Sequence, residues 1–228
     1  MQSRSRIITL AAILLFSPMA FSADRTPPPG LNQAQLLIFY KDHLQGVTKG
    51  SRIDYGFSSA TKDADSYSDK IEVTVTDVVA EGKRNMEFNF LSGPNHIDFS
   101  PANGYTGNPV IIHFLERDIS QMAKYTGGSS GYFRNRIRDS FKQPKQVHAV
   151  TIDFQGKQLD GTEVVVTPFV SDPNADNLKL YVNKRYEFIF SDQIPGGIYK
   201  IHTAVTDDSG ESLLIDEEMK FQQLTHTI

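Results

Sequence analysis

Cysteine and tryptophan are both absent from the 228 residues. Without cysteine there is no disulfide, no thiolate nucleophile, no thiolate-held metal and no lipid-modified cysteine, so burial and backbone pairing must hold the chain together. Long apolar runs are missing too. The run from Ile7 to Phe16 covers about ten residues, short of the roughly 20 that a membrane-spanning helix needs. Positive charge is in deficit, with 23 Lys and Arg against 27 Asp and Glu, which argues against a nucleic-acid partner, since such binders need a net or clustered positive field. The six histidines form no H-x-H or H-E-x-x-H pair, so the sequence holds no compact zinc motif. Neither a metal nor a cofactor is expected.

What is present begins with a leader. Arg4 and Arg6 precede the apolar run, and Ser17-Pro18 and Ala20-Phe21-Ser22 follow it, the pattern of a secretory signal peptide over residues 1–22 with cleavage before Ala23. The mature chain then has no transmembrane segment. Losing Arg4 and Arg6 takes the formal charge from −4 to about −6. Residues 23–30 carry three consecutive prolines and read as a stiff lead-in. Residues 31–228 suit a single β-rich domain.

Leu36, Leu37, Phe39, Tyr40 and Leu44 share a broad helical face, and the spacing predicts a helix over about 33–45 closed by Gly46. The period then changes to two. In KIEVTVTDV, Ile71, Val73 and Val75 alternate with polar residues; in RNMEFNFL, Met86, Phe88 and Phe90 do. The turn Ala80-Glu81-Gly82-Lys83 makes the two a hairpin, with SRIDYGFS before and NHIDF after extending the meander. Alternation resumes after residue 145 and gives nine or ten strands in all. Between the two strand sets lies a helical insertion at about 110–142, with Leu115, Ile119 and Met122 on one amphipathic face and Phe133, Ile137 and Phe141 on another. A two-sheet sandwich would also satisfy one-sided strands. The helices favour an α+β, mostly β fold: one strongly curved antiparallel sheet, an unclosed barrel, with about three helices covering its concave face.

Gly127-Gly128-Ser129-Ser130-Gly131 matches the G-x-S-x-G pattern of a hydrolase nucleophile elbow, which requires a strand entering the serine and a helix leaving it. Charged Glu116, Arg117, Asp118 and Lys124 read as helix instead, so the glycines are expected to end one helix and a serine to cap the next. The serine-hydrolase alternative would use Ser129 with His202 and an acid such as Asp153 or Asp192. Downstream, Arg134 and Arg138 lie four residues apart on one helix side, available to a partner's carboxylate, an anionic head group, or Glu116 and Asp118 of the neighbouring helix. Asp172, Asn174 and Asp176 begin like a calcium loop, but Asn177 and Asn183 stand where its glycine and glutamate belong, so an ordinary turn is expected. The fifteen phenylalanines suit either a packed core or the wall of a lipid-sized cavity, where Phe88 and Phe188 would line it.

This layout of cleaved leader, N-terminal helix, meander, embedded helices and further strands resembles the LolA-like unclosed β-barrels, the periplasmic lipoprotein carriers and their uncharacterised exported relatives. The blocks FLERDISQMAKYTGG and YFRNRIR are similar to an uncharacterised proteobacterial exported family. No functional residue of the carriers maps onto a matching motif here. The resemblance implies a soluble periplasmic, non-enzymatic binding or carrier module for lipid, lipoprotein or another envelope component. Arg134, Arg138, Phe88 and Phe188 are then the candidate ligand- or partner-binding residues, with a structural protein–protein role in the envelope as the other alternative. Oligomeric state is not legible from the sequence.

Overall fold

The period-two segments form one sheet, and its strand order explains the chain's organisation. The computed structural model describes residues 27–226 apart from residue 63, so the leader expected over 1–22 lies outside the described residues. Helix α1 (Gln33–Phe39) precedes strands β1 (Ser51–Thr61), β2 (Ala64–Val78), β3 (Arg84–Phe90) and β4 (Ala102–Tyr105). Helices α2 (Val110–Thr126) and α3 (Ser130–Ser140) follow, then β5 (Gln146–Phe154) and β6 (Lys157–Val166). The short helix α4 (Ala175–Leu178) leads to β7 (Arg185–Phe190), β8 (Ile198–Thr206) and β9 (Leu213–His226).

Spatial order is β4-β3-β2-β1-β9-β8-β7-β6-β5, antiparallel throughout. Two meanders, β1–β4 and β5–β9, are therefore joined by a single non-local seam between β1 and β9. The outer strands β4 and β5 do not pair with each other, so the barrel stays unclosed. The chain passes from one edge to the other through α2 and α3, which lie across the inner face.

Residues projecting inward from the strands meet those helices. Phe114 of α2 packs near Phe57 of β1, with ring centroids 6.4 Å apart. Phe141, just after α3, packs on Phe188 of β7 at 5.5 Å and on Phe39 of α1 at 5.7 Å. The Asn32 side chain caps α1 by accepting from Gln35 N–H, and its amide donates to the carbonyls of Phe141 and Lys142. One residue thus starts α1 and ties it to the end of α3.

Outward residues are charged. Arg52–Asp54 on β1, Lys70–Glu72 on β2 and Arg185–Glu187 on β7 pair at 2.6–2.8 Å, and Lys200 of β8 joins Glu187 at 3.0 Å. That polarity suits water and is the reverse of a lipid-facing barrel.

Two sequence expectations differ from the structure. Helix α1 ends at Phe39 rather than near residue 45, because the Asp42 carboxylate takes the Leu44 N–H and turns the chain. The segment NHIDF is not a strand. It makes one isolated bridge, Phe90 to Ile97, between Pro94 and Pro101, and the pairing passes to β4 instead.

A polar node links the loop after α1, the start of α2 and the β7–β8 turn. Asn108 donates to Tyr55 OH at 2.8 Å and to the Gly196 carbonyl at 3.1 Å, and its N–H donates to His43 Nδ1 at 3.3 Å. Burial lowers the His43 pKa to about 4, so the ring is neutral, and it stacks on Phe190. Gly196 has φ +82°, and a Cβ there would lie 2.8 Å from Ile53 Cδ1 and 3.0 Å from Tyr55 OH. Gly196→Ala should therefore destabilise the protein by about 2–4 kcal/mol, combining left-handed strain with overpacking. Urea unfolding checks this, and a loss below about 0.5 kcal/mol would show that the turn relaxes freely.

Candidate functional site

The inner face is not uniformly apolar. On α2 the buried stripe runs Ile111, Phe114, Leu115, Asp118, Ile119 and Met122, with Arg117 buried beside it. Both ions find partners on the sheet. Arg117 donates from Nη1 and Nη2 to the two carboxylate oxygens of Glu217 on β9, each at 3.0 Å, and from Nη2 to Tyr67 OH on β2 at 3.2 Å. The guanidinium carbon sits 4.7 Å from the Phe57 ring centroid, and Ser59 Oγ donates to Glu217 at 2.9 Å. Asp118 accepts from Lys184 Nζ at 2.8 Å, at the entry to β7, and from the hydroxyl of Tyr186.

The side chains of Arg117 and Glu217 are each 4% exposed, those of Lys184 and Asp118 0% and 2%. Burial alone would push the Glu217 carboxyl up; the bonds and charge of Arg117, helped by Lys184 and Ser59, outweigh it and hold the pKa below the usual carboxylate value. Burial also raises the Tyr186 phenol far above its ordinary range, assisted by Asp118. The four ions sum to zero charge.

Two adjoining clefts of about 510 and 650 Å³ open above this cluster. Both are lined by Tyr67, Asn95, Arg117, Gln121 and Lys124. Leu91, Ile97 and Phe99 give the first an apolar wall; Tyr125, Tyr181 and Ile215 do so for the second. The floor is thus a neutralised ion pair, the walls are greasy, and Lys124 supplies a cation on the rim.

The residues singled out from sequence lie elsewhere. Phe188 is fully buried between Phe141 and Phe190. Phe88 is half-buried with its ring 4.3 Å from His113. Arg134 makes a two-pronged pair with Glu116, both bonds 2.6 Å, and so clamps α3 to α2 as one of its expected roles. Arg138 is more than half exposed, 3.8 Å from Asp139. None of the four is among the residues lining the clefts, although Glu116, held by Arg134, lines the first.

The serine motif joins two helices. Gly127 ends α2 in the left-handed conformation, φ +78°, and extended Ser129 precedes α3, its carbonyl accepting from Tyr132 and Phe133 N–H. Ser129 does not cap through its hydroxyl. A helix, not a strand, enters the serine, so the elbow geometry is absent at this position. His202 bonds Asp216, Asp153 accepts from Gln158, and Asp192 pairs with Lys41. Asp172 is taken by Arg136, Tyr132 and Asn174 N–H, and among the described residues no cluster of three His, Asp or Glu could hold a metal.

The residues that sequence reasoning missed carried a readable signal. Asp118 falls on the apolar stripe of α2, Glu217 on the inward register of Met219 and Phe221, and Lys184 on that of Tyr186 and Phe188. Each is a charge where the pattern demands an apolar side chain.

Because one-sided removal strands a buried charge, Arg117→Met should cost about 3–5 kcal/mol, whereas the double variant Arg117→Met/Glu217→Leu should recover most of it. In the parent protein Glu217 contributes stability that is complete above the unfolded carboxyl value of roughly 4.3 and is lost as pH falls through its lower folded value. Urea titrations between pH 7 and pH 3 measure both effects. An additive double variant would contradict the coupling.

No family model matches the chain, and no curated protein does. Among solved structures it is similar to the lipoprotein LppX of Mycobacterium tuberculosis, with 9% identity, 82% of this chain and 91% of that one covered, and a TM-score of 0.35. A LolA superfamily protein from Nitrosomonas europaea follows with 9% identity, 86% and 94% coverage and a TM-score of 0.24. A putative outer membrane lipoprotein-sorting protein domain from Vibrio parahaemolyticus has 10% identity, 78% and 85% coverage and a TM-score of 0.23. The strand order and the helix–sheet contacts, not these likenesses, define the fold.

Proposed function

We propose that the mature chain is a non-enzymatic periplasmic binding or carrier module that takes an amphiphilic envelope component, a lipid or a lipidated segment, in the paired clefts above Arg117. One observation carries the reading: the deep interior is filled by aromatic packing, whereas the clefts combine apolar walls with a polar floor and a rim cation. Their size fits the few hundred to about 1,000 Å³ of ligand sites. The leader pattern of residues 1–22 supports export, and the charged outer face of the sheet supports a water-exposed life. Phe88 and Phe188 then act by keeping the inner face packed, and Arg134 by holding Glu116 in place at the cleft.

A fluorescent fatty-acyl probe tests the reading. Wild-type protein should take it up with saturation. Gln121→Trp, on the exposed side of α2 where it would fill both clefts, should weaken uptake roughly tenfold or more, about 1.4 kcal/mol per decade. Lys124→Glu should weaken anionic probes more than neutral ones. Unchanged uptake in both variants removes the site, and no uptake by the wild type removes the carrier reading.

A further inference from the structure

The two edges of the sheet are treated differently. β4 is four residues long, pairs through a register shift and holds Gly104 at φ +74°, which are devices that blunt an edge. At the other end, β5 pairs with β6 through nine consecutive residues without a shift. It holds no proline and no lysine, and four of its nine residues are Val147, Val150, Thr151 and Ile152. Gln146, His148, Ala149, Thr151 and Asp153 are exposed. Its outer side is a regular row of backbone donors and acceptors, and at its far end the Asp153 carbonyl also accepts from Tyr199 OH at 3.4 Å.

The charges along this edge are self-complementary. From 145 to 153 the only permanently ionised side chains are Lys145 and Asp153, at opposite ends. Lys145 already runs alongside β6, its N–H bonded to the Val165 carbonyl at 2.8 Å. If a second copy is laid antiparallel with the two-fold axis at Ala149, Lys145 of each copy faces Asp153 of the other. Val147 then faces Thr151, a β-branched pair, and His148 faces Val150, a ring against a β-branched side chain; both are pairings that favour adjacent strands. Moving the axis to His148 puts Thr151 opposite Lys145, and moving it to Val150 puts Val147 opposite Asp153; either register leaves both charges unmatched.

We propose that β5 is a homodimer edge, joining two copies into one continuous antiparallel sheet about Ala149. The arrangement is isologous, as closed dimers require. No residue of β5 lines either cleft, so this pairing leaves their lining free.

Sedimentation velocity of the mature chain over a concentration series gives the dimer constant. Asp153→Lys and Lys145→Asp each place two like-charged pairs across the axis and should weaken the dimer roughly tenfold, while the double exchange should restore it. The chain has no cysteine, so Ala149→Cys with a short bismaleimide can link copies only through residue 149 and should give a covalent dimer. A monomer at every concentration overturns the proposal, including the case in which the edge instead takes an extended segment of another protein. So does a dimer unaffected by both single exchanges, or one that Ala149→Cys does not link. Recovery in the double exchange separates pairing from misfolding.

Discussion

Arg117 and Asp118 are neighbours on one helix, carry opposite charges into the interior and meet opposite partners there: Glu217 from β9 and Lys184 at the entry to β7. Taking four ions out of water costs several kcal/mol each, and their attraction offsets that only when every bond is made. Apolar burial tolerates a small slide or rotation of a helix; this arrangement does not. The quartet therefore sets where α2 sits and which way it turns. Once α2 is set, α3 follows through Arg134 and Glu116, and α1 through the bonds from Asn32 to the end of α3.

The same cluster defines what the clefts can accept. Arg117 lies in their lining but spends its charge on Glu217, so the floor offers polarity without net field. Lys124 forms no ion pair among the described residues and lines both clefts. An amphiphile would find apolar walls over a neutral floor, with attraction for a negative group confined to the rim. Phe114, Phe133, Phe141 and Phe188 are at most 1% exposed, so the packing around these rings leaves no surface for a ligand.

Much of this was legible in the residues. The β2–β3 hairpin, both inner helices and the glycine end of α2 follow from periodicity and backbone chemistry, because each is decided within a few residues. Arg134 meeting Glu116 follows from two helices joined by a short glycine loop. Two expectations failed on local chemistry that periodicity does not weigh, the Asp42 carboxylate at Leu44 N–H and the prolines flanking NHIDF, and the first of these serves a distant contact. The Asp42 turn that shortens α1 sends His43 to Asn108, 65 residues away in sequence. The candidate site was missed for a related reason. Asp118, Lys184 and Glu217 each break an apolar pattern, but a single misplaced charge reads as noise until the fold brings all three together with Arg117. Phe88 and Phe188 were read from a correct inward register, which identifies a buried face without saying whether it borders a void.

The β1–β9 seam has a consequence in time. A ribosome delivers β1 early and β9 last, and between them come α2, α3, α4 and seven other strands. The first meander can pair within itself as it emerges, but its inner side stays open, because the carboxylate that receives Arg117 arrives with the final strand. Until then a buried guanidinium has no counterion, and α2 gains little by docking. Completion of the inner face thus waits for the last strand, which supplies both the missing neighbour for β1 and the missing charge for the helix.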